Sequence, residues 1–334
     1  MRPVKSAANA TPGVIETLTG GFEQVNRVPW IVGLPIVIDV ALWLAPPLTA
    51  GAVIHSFIGS LTDLYGTIAA NGADPTTVDQ ARQALTELDT SAGSFNLLSL
   101  LVGGFAGVPS AHPVSVSNLG PQELGSFGGL AEAVLLMILL GTLLGCLYFG
   151  VLGQQVRDGR VVGATLARRV WFYWLSVLAF LGIVIGISLV VAIPVSLAVG
   201  LIDLIAPGIG VVLMLLAVAG AEIVRVLAMI YLFFLVYAIV LSEAGPVRAA
   251  VNSTRVVASS FWSSVGFILV VIVISRGMQV VWSGLTGSAA GTFVGILGNA
   301  YIQTGLVAAS MLYYQSRVSR LPAARGVLGR VTQA

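Results

Sequence analysis

Six stretches of this chain stay apolar for about twenty residues or more: Pro29 to Leu48, Gly129 to Leu152, Trp171 to Leu197, Ile209 to Leu241, Phe261 to Trp282, and Ala289 to Tyr314. A helix needs roughly 20 apolar residues to cross a hydrocarbon core about 30 Å thick, so each stretch predicts a membrane span. The fourth is longer than one crossing needs. It is expected to tilt, to kink at its glycines, or to project into the cytoplasm.

The polar residues between these stretches set a direction. Of sixteen Lys and Arg residues, thirteen fall in four clusters. These are Arg2, Lys5 and Arg27; Arg157, Arg160, Arg168 and Arg169; Arg248 and Arg255; and Arg317, Arg320, Arg325 and Arg330. With an even number of spans all four lie on one side, and the bias of arginine towards the cytoplasm puts both termini there. The connection of residues 49–128 is then extracytoplasmic. It carries Arg82 alone against Asp63, Asp74, Asp79, Glu87, Asp89 and Glu123.

Composition strengthens this reading: 57% of residues are hydrophobic, 9% are charged and the mean hydropathy is +0.98. A soluble domain is about half apolar and a quarter charged. The net charge of +2 gives no reason to expect nucleic acid as a partner. A cleaved signal peptide ending near Leu48-Thr49-Ala50 is the competing account of the first span. The long polar lead to Val28 and the interruption by Asp39 speak against it. Cys146 stands alone, which excludes an intrachain disulfide and fits a small packing residue. One Lys against fifteen Arg, with abundant Ala, Gly and Val, points to a GC-rich bacterial genome and hence to a bacterial inner membrane.

Three segments share one plan: Gly13 to Trp30, Gly159 to Trp171, and Gly245 to Trp262. Each opens at glycine, continues as a mixed polar and apolar stretch, and reaches tryptophan where a span begins. In the third, Pro246 suits a first helical turn, with Val247, Ala250, Val251 and Val257 towards lipid and Arg248, Asn252 and Arg255 towards water. Such elbow helices lie in the interface with tryptophan at headgroup level. The chain then reads as three units of elbow plus hairpin, although any cytoplasmic loop gathers Arg and Trp at its edges.

The third elbow, Glu243-Ala-Gly-Pro-Val-Arg-Ala-Ala-Val-Asn-Ser-Thr-Arg255, and the close of the last span, Leu312-Tyr-Tyr-Gln-Ser-Arg317, resemble the membrane domain of the bacterial glycerophosphoryl diester phosphodiesterases and its stand-alone relatives. There an acidic residue leads into an Ala-rich elbow and the last span closes in Leu-Tyr-Tyr-Asp-x-Arg; Gln315 stands where the aspartate is expected. The resemblance covers residues 131–320 in general plan through short motifs. It implies a multi-pass membrane domain without catalysis, because the phosphodiesterase chemistry belongs to a separate soluble barrel.

The residues themselves point the same way. His55 and His112, both in the 49–128 segment, have no Cys or second His at ligand spacing. Phosphate-cradling, zinc-protease and serine-hydrolase motifs are absent from the sequence. No cofactor is expected. Asn252-Ser253-Thr254 matches a glycosylation sequon by chance on a cytoplasmic elbow. Glycines four apart, Gly141 with Gly145, Gly182 with Gly186, and Gly291 with Gly295, predict close helix packing within the chain.

Charges inside the spans single out a candidate site. Asp39, Glu222, Arg225 and Arg276 each cost roughly 2.5 to 3.5 kcal/mol at a span centre, so they are expected to face the bundle interior with partners. Glu222 and Arg225 pair along their helix, and Asp39 with Arg276 forms the expected interhelical pair. With Gln279, Asn299 and Gln303 they form one polar seam. Three functions follow. The seam binds or moves lipid or a small polar solute, or it is a static network in a scaffold or partner-binding subunit, or it couples proton or ion movement through Asp39 and Glu222.

The 49–128 segment is the second candidate. Asp74-Pro75-Thr76-Thr77 starts a helix running to about Leu88, while Ala52 to Ile68 and Phe95 to Val108 are apolar but unsuited to crossing. Residues 103–129 predict loop. The segment is a docking surface for a protein partner or an interfacial filler.

The expected architecture is an all-α polytopic membrane protein with six spans, three amphipathic cytoplasmic elbows and one extracytoplasmic helical insertion. Its parts are an N-terminal elbow (1–28), a first span (29–48), the insertion (49–128), a bundle of five spans and two elbows (129–316) and a basic cytoplasmic tail (317–334). Membrane lipids are the expected partners.

Overall fold

The computed structural model describes residues 12–70, 75–93, 95–206 and 208–320. Arg2, Lys5, Asp74, Pro207, Arg325 and Arg330 lie outside the described residues. The chain is all-α: α1 Val14–Arg27, α2 Gly33–Leu44, α3 Gly51–Ala70, α4 Pro75–Gly93, α5 Phe127–Asp158, α6 Gly163–Ile205, α7 Ile209–Tyr231, α8 Leu235–Ser242, α9 Pro246–Ser259, α10 Phe261–Ser283 and α11 Ala289–Val318. Five helical segments are long and apolar enough to cross a membrane, or six if α1 and the stretch Pro29–Leu44, sharply bent against each other, count as one broken span.

The chain divides into two compact units. The first comprises Met1–Val32, Cys146–Val281 and Tyr301–Ala334, the second Gly33–Gly145 and Trp282–Ala300.

In the first unit the core is aromatic. Tyr313 of α11 stacks on Phe267 of α10 at 4.3 Å and on Phe234 at 5.4 Å. Phe234 lies in the break between α7 and α8, where Leu232 to Phe234 leave the helix and free backbone groups. Ser253 of α9 restores their partners: its hydroxyl donates to the Tyr231 carbonyl at 2.8 Å and accepts from the Phe234 N–H at 3.2 Å. Buried backbone groups must be paired, so this one hydroxyl makes the break tolerable. Ser253→Ala is expected to destabilise the first unit by about 1 to 3 kcal/mol, seen as a lower melting temperature of the detergent-solubilised protein.

Two of the elbows form helices, and both are seated on protein. α9 buries Ala249, Ser253, Val256 and Val257 against α8, α6 and α7, so of the four residues expected to face lipid Val257 is buried, Ala250 is partly covered, and Val247 and Val251 are exposed. α1 buries Thr17, Gly21 and Val25. Gly21 lies against Gly305 and Ala309 of α11, Phe22 meets Tyr301 at 5.8 Å, and the Tyr301 hydroxyl donates to Asn26 at 2.9 Å. An amphipathic pattern specifies an apolar face, and helices satisfy it as well as lipid does. The second elbow is not separate, because α6 is continuous from Gly163 for 43 residues. Pro194 sits inside that helix.

The predicted first span, Pro29 to Leu48, is not one continuous α-helix: Pro29–Val32 is a 3-10 turn, and α2, in the second unit, has 12 residues, about 18 Å. It ends in Leu48–Thr49, which pairs in parallel with Gln122–Glu123. α4 matches the predicted helix and extends it to Gly93, packing on α3. The apolar stretch after it turns inward: Leu97, Val102, Ala106 and Val108 are buried.

Candidate functional site

The seven predicted seam residues are divided between the two units, Asp39 and Asn299 in the second and the other five in the first. Asp39 is fully buried in the second unit, and its carboxylate accepts from the Ser110 hydroxyl and, at 2.8 Å, from the Ala111 N–H. Its partners come from the loop after α4, a signal absent from hydropathy. Asn299 is also fully buried in that unit, and among the described residues neither its amide nitrogen nor its amide oxygen has a hydrogen-bond partner.

The others belong to the first unit. Glu222 and Arg225 pair at 2.7 Å as expected, but their side chains are 57% and 66% exposed, so they face outward, against the expectation of a bundle interior. Arg276 is likewise exposed and reaches Gln279 at 3.5 Å. Asp39 and Arg276, the anticipated pair, belong to different units, and each has hydrogen-bond partners within its own. Gln303 exchanges hydrogen bonds with Ser275 at 2.8 and 3.2 Å.

The glycine motifs are corrected too. Gly141 and Gly145 admit the backbone of residues 100–107, since a Cβ on Gly141 would meet the Leu101 carbonyl at 2.7 Å and one on Gly145 would meet that of Ala106. They serve a loop, not a second helix. Gly182 and Gly186 have no atom within 4 Å of where a Cβ would stand. Gly291 accommodates the turn before its own helix, at the Leu285 carbonyl.

A site the sequence reading passed over lies where α5, α6 and α8 end or begin. Gln154, Arg157, Asp158, Arg160, Val162, Thr165, Arg169 and Glu243 line a cleft of about 620 Å³ in the first unit. Glu243 is its centre. Its carboxylate receives Arg157 Nη1 at 2.9 Å and Arg169 Nη1 at 2.8 Å. Arg157 also grips Asp158 with Nε and Nη2 at 2.9 and 3.0 Å.

The local backbone explains the placement. Glu243 closes α8 with φ +48, in the left-handed region. That conformation costs a residue with a Cβ about 1 to 2 kcal/mol and persists where the surroundings hold it; here two guanidinium groups do. Across the cleft, Gly159 takes φ +67, and buried Gln154 accepts the Val162 N–H at 2.9 Å, fixing the turn that carries Arg160. Among the described residues Arg160 makes no ion pair. Three arginines against two carboxylates leave the lining with an excess positive charge.

Exposed Trp171 follows Arg169 by two residues, and Trp262 is exposed at the start of α10. Tryptophan prefers the headgroup layer of a bilayer. Arg317 is a second residue missed. It is buried with its guanidinium 3.7 Å above the Tyr313 ring and donates to Ser263 at 3.1 Å, so it serves the aromatic core and not a basic tail.

No family model, no curated protein and no solved structure matches this chain.

Proposed function

We propose that this multi-pass membrane protein binds the anionic headgroup of phospholipids in the Glu243 cleft, without catalysis of its own. The observation that carries the reading is the set Arg157, Arg169 and Arg160 held around Glu243 at tryptophan depth. Glu243 orients two guanidinium forks, while Arg160 on the same lining makes no ion pair among the described residues. Guanidinium matches phosphate oxygens in geometry and pays a smaller desolvation cost than ammonium. Binding is favoured over carriage because the polar span residues of the first unit pair locally, Glu222 with Arg225, Arg276 with Gln279 and Gln303 with Ser275. The arginine-bearing end faces the cytoplasm of a bacterial cell in this reading.

The full chain reconstituted with phosphatidylglycerol is expected to retain that lipid in native mass spectrometry, and phosphatidylcholine much less. Arg160→Ala should weaken phosphatidylglycerol retention about tenfold, the equivalent of one charge-assisted hydrogen bond. Equal retention of the two lipids, or no effect of Arg160→Ala, rejects the reading.

A further inference from the structure

α6 and α7 form a hairpin whose distal parts are exposed. Beyond Phe180, α6 buries no described side chain, and along α7 Gly210 alone is buried. Along α7 Leu213, Ala217, Ala228, Ile230 and Tyr231 are partly covered, and most other positions are exposed on every side, Val224 among them. The charges Glu222 and Arg225 fall on one line with Val211, Leu215, Val218 and Met229, all exposed. Their spacing alternates between four and three residues, the interval that keeps one seam turned towards a partner helix.

Two charges interrupt this otherwise apolar seam, within a segment apolar enough to cross the membrane. Lipid tails offer neither hydrogen bonds nor counter-charge, so an outward Glu222–Arg225 pair there calls for a protein surface of complementary charge. The pair is its own complement. Copies of one chain insert with the same orientation, so a two-fold axis along the membrane normal sets their α7 helices parallel. Glu222 of one copy then lies one turn from Arg225 of the other, and the four side chains close a ring of alternating sign.

We propose that α7 is a dimerisation helix: a second copy of this chain covers the Val211 to Met229 seam, and crossed pairs between Glu222 and Arg225 fix its register. Polar residues at a single layer of such a seam set register and partner number at some cost in stability. The proposal is independent of the Glu243 cleft, since neither its residues nor its test involves lipid retention.

The test uses the full chain with Cys146→Ala, which removes its single native cysteine. Leu215→Cys, Val218→Cys and Met229→Cys are expected to cross-link under oxidation in membranes to a product of twice 34.6 kDa. Leu216→Cys, exposed but a third of a turn off the seam, should do so several-fold less. In liposomes diluted with lipid, single-molecule photobleaching should show Glu222→Arg raising the dissociation constant by more than about tenfold. The double exchange Glu222→Arg with Arg225→Glu should restore it and shows that the charges can be inserted in either order. Should Glu222→Arg fail to insert, Glu222→Gln gives a smaller rise of the same sign. Cross-linking no greater on the seam than at Leu216→Cys, products joined to a different polypeptide, monomers at every dilution, or no shift on removing the charge each overturns the proposal.

Discussion

Replacing Asp39 with alanine is expected to destabilise the second unit by about 3 kcal/mol or more. Hydrogen bonds to a charged acceptor are each worth roughly 1.5 to 3 kcal/mol, and stripping the acceptor leaves buried donors unpaired. Both donors, the Ser110 hydroxyl and the Ala111 N–H, belong to the loop that closes over α2. Its neighbours depend on the same closure: the Val116 N–H donates to the Trp43 carbonyl at 2.9 Å and the Ser115 hydroxyl to that of Ala45. The melting temperature of the purified protein should fall sharply with Asp39→Ala and much less with Asp39→Asn, which keeps one acceptor oxygen. Arg276→Asp should be nearly neutral, because Arg276 is exposed and holds only a long contact to Gln279. Exchanging the two charges should therefore rescue nothing, and recovery in the Asp39→Arg, Arg276→Asp double variant would restore the interhelical pair expected from sequence.

The second large effect concerns Gly21. A Cβ at this position would stand 2.5 Å from the Gly305 carbonyl oxygen and 2.6 Å from the Ala309 Cβ, distances that no rotamer change relieves. Gly21→Val must push α1 off α11. Overpacking of this kind costs about 1 to 3 kcal/mol, and the displacement also takes Phe22 from the gap beside Gly305 and breaks the Tyr301–Asn26 hydrogen bond. Limited proteolysis should then cut within Val14–Arg27 at protease levels that spare the parent protein. Gly182→Val and Gly186→Val, with open space around both positions, should leave stability unchanged. A fall with those two and none with Gly21→Val would reverse the assignment of which glycines pack.

These variants separate what the motif shows from what the contact shows. Gly182 and Gly186 have the motif and no neighbour, whereas Gly21 has the neighbour and sits beside Gly20 with no four-residue partner. Glycine spacing along one helix says only that a backbone is approachable. The approaching group belongs to another part of the chain, and for Gly141 and Gly145 it is a loop.

The candidate site was partly legible. Glu243, Arg157 and Arg169 each stood out as charges flanking apolar runs, but 86 residues separate Arg157 from Glu243, and no periodicity links them. Their meeting depends on α8 stopping at a residue with φ +48, which no propensity assigns to glutamate. The signal nearest to it was Glu243 heading an Ala-rich elbow. Of the seam residues, Glu222, Arg225 and Arg276 turn outward, since residues at similar depth on different spans need not share a face.

What the sequence determined by itself is the class of molecule and the course of its long helices. Runs of twenty or more apolar residues leave a chain no soluble way to bury its side chains, so the helices from Phe127 to Val318 follow from local composition, although α6 extends well beyond Trp171 to Leu197 at both ends and Ile209 to Leu241 breaks into α7 and α8. Which side of each helix meets protein was decided only in three dimensions. Inside a membrane the apolar faces of a helix are alike in hydropathy, and the choice among them falls to backbone approach at Gly21, to the hydroxyl of Ser253 in a helix break, and to loop donors that satisfy Asp39. Those are contacts between residues far apart in the chain, and hydropathy, a sum over neighbours, carries no record of them.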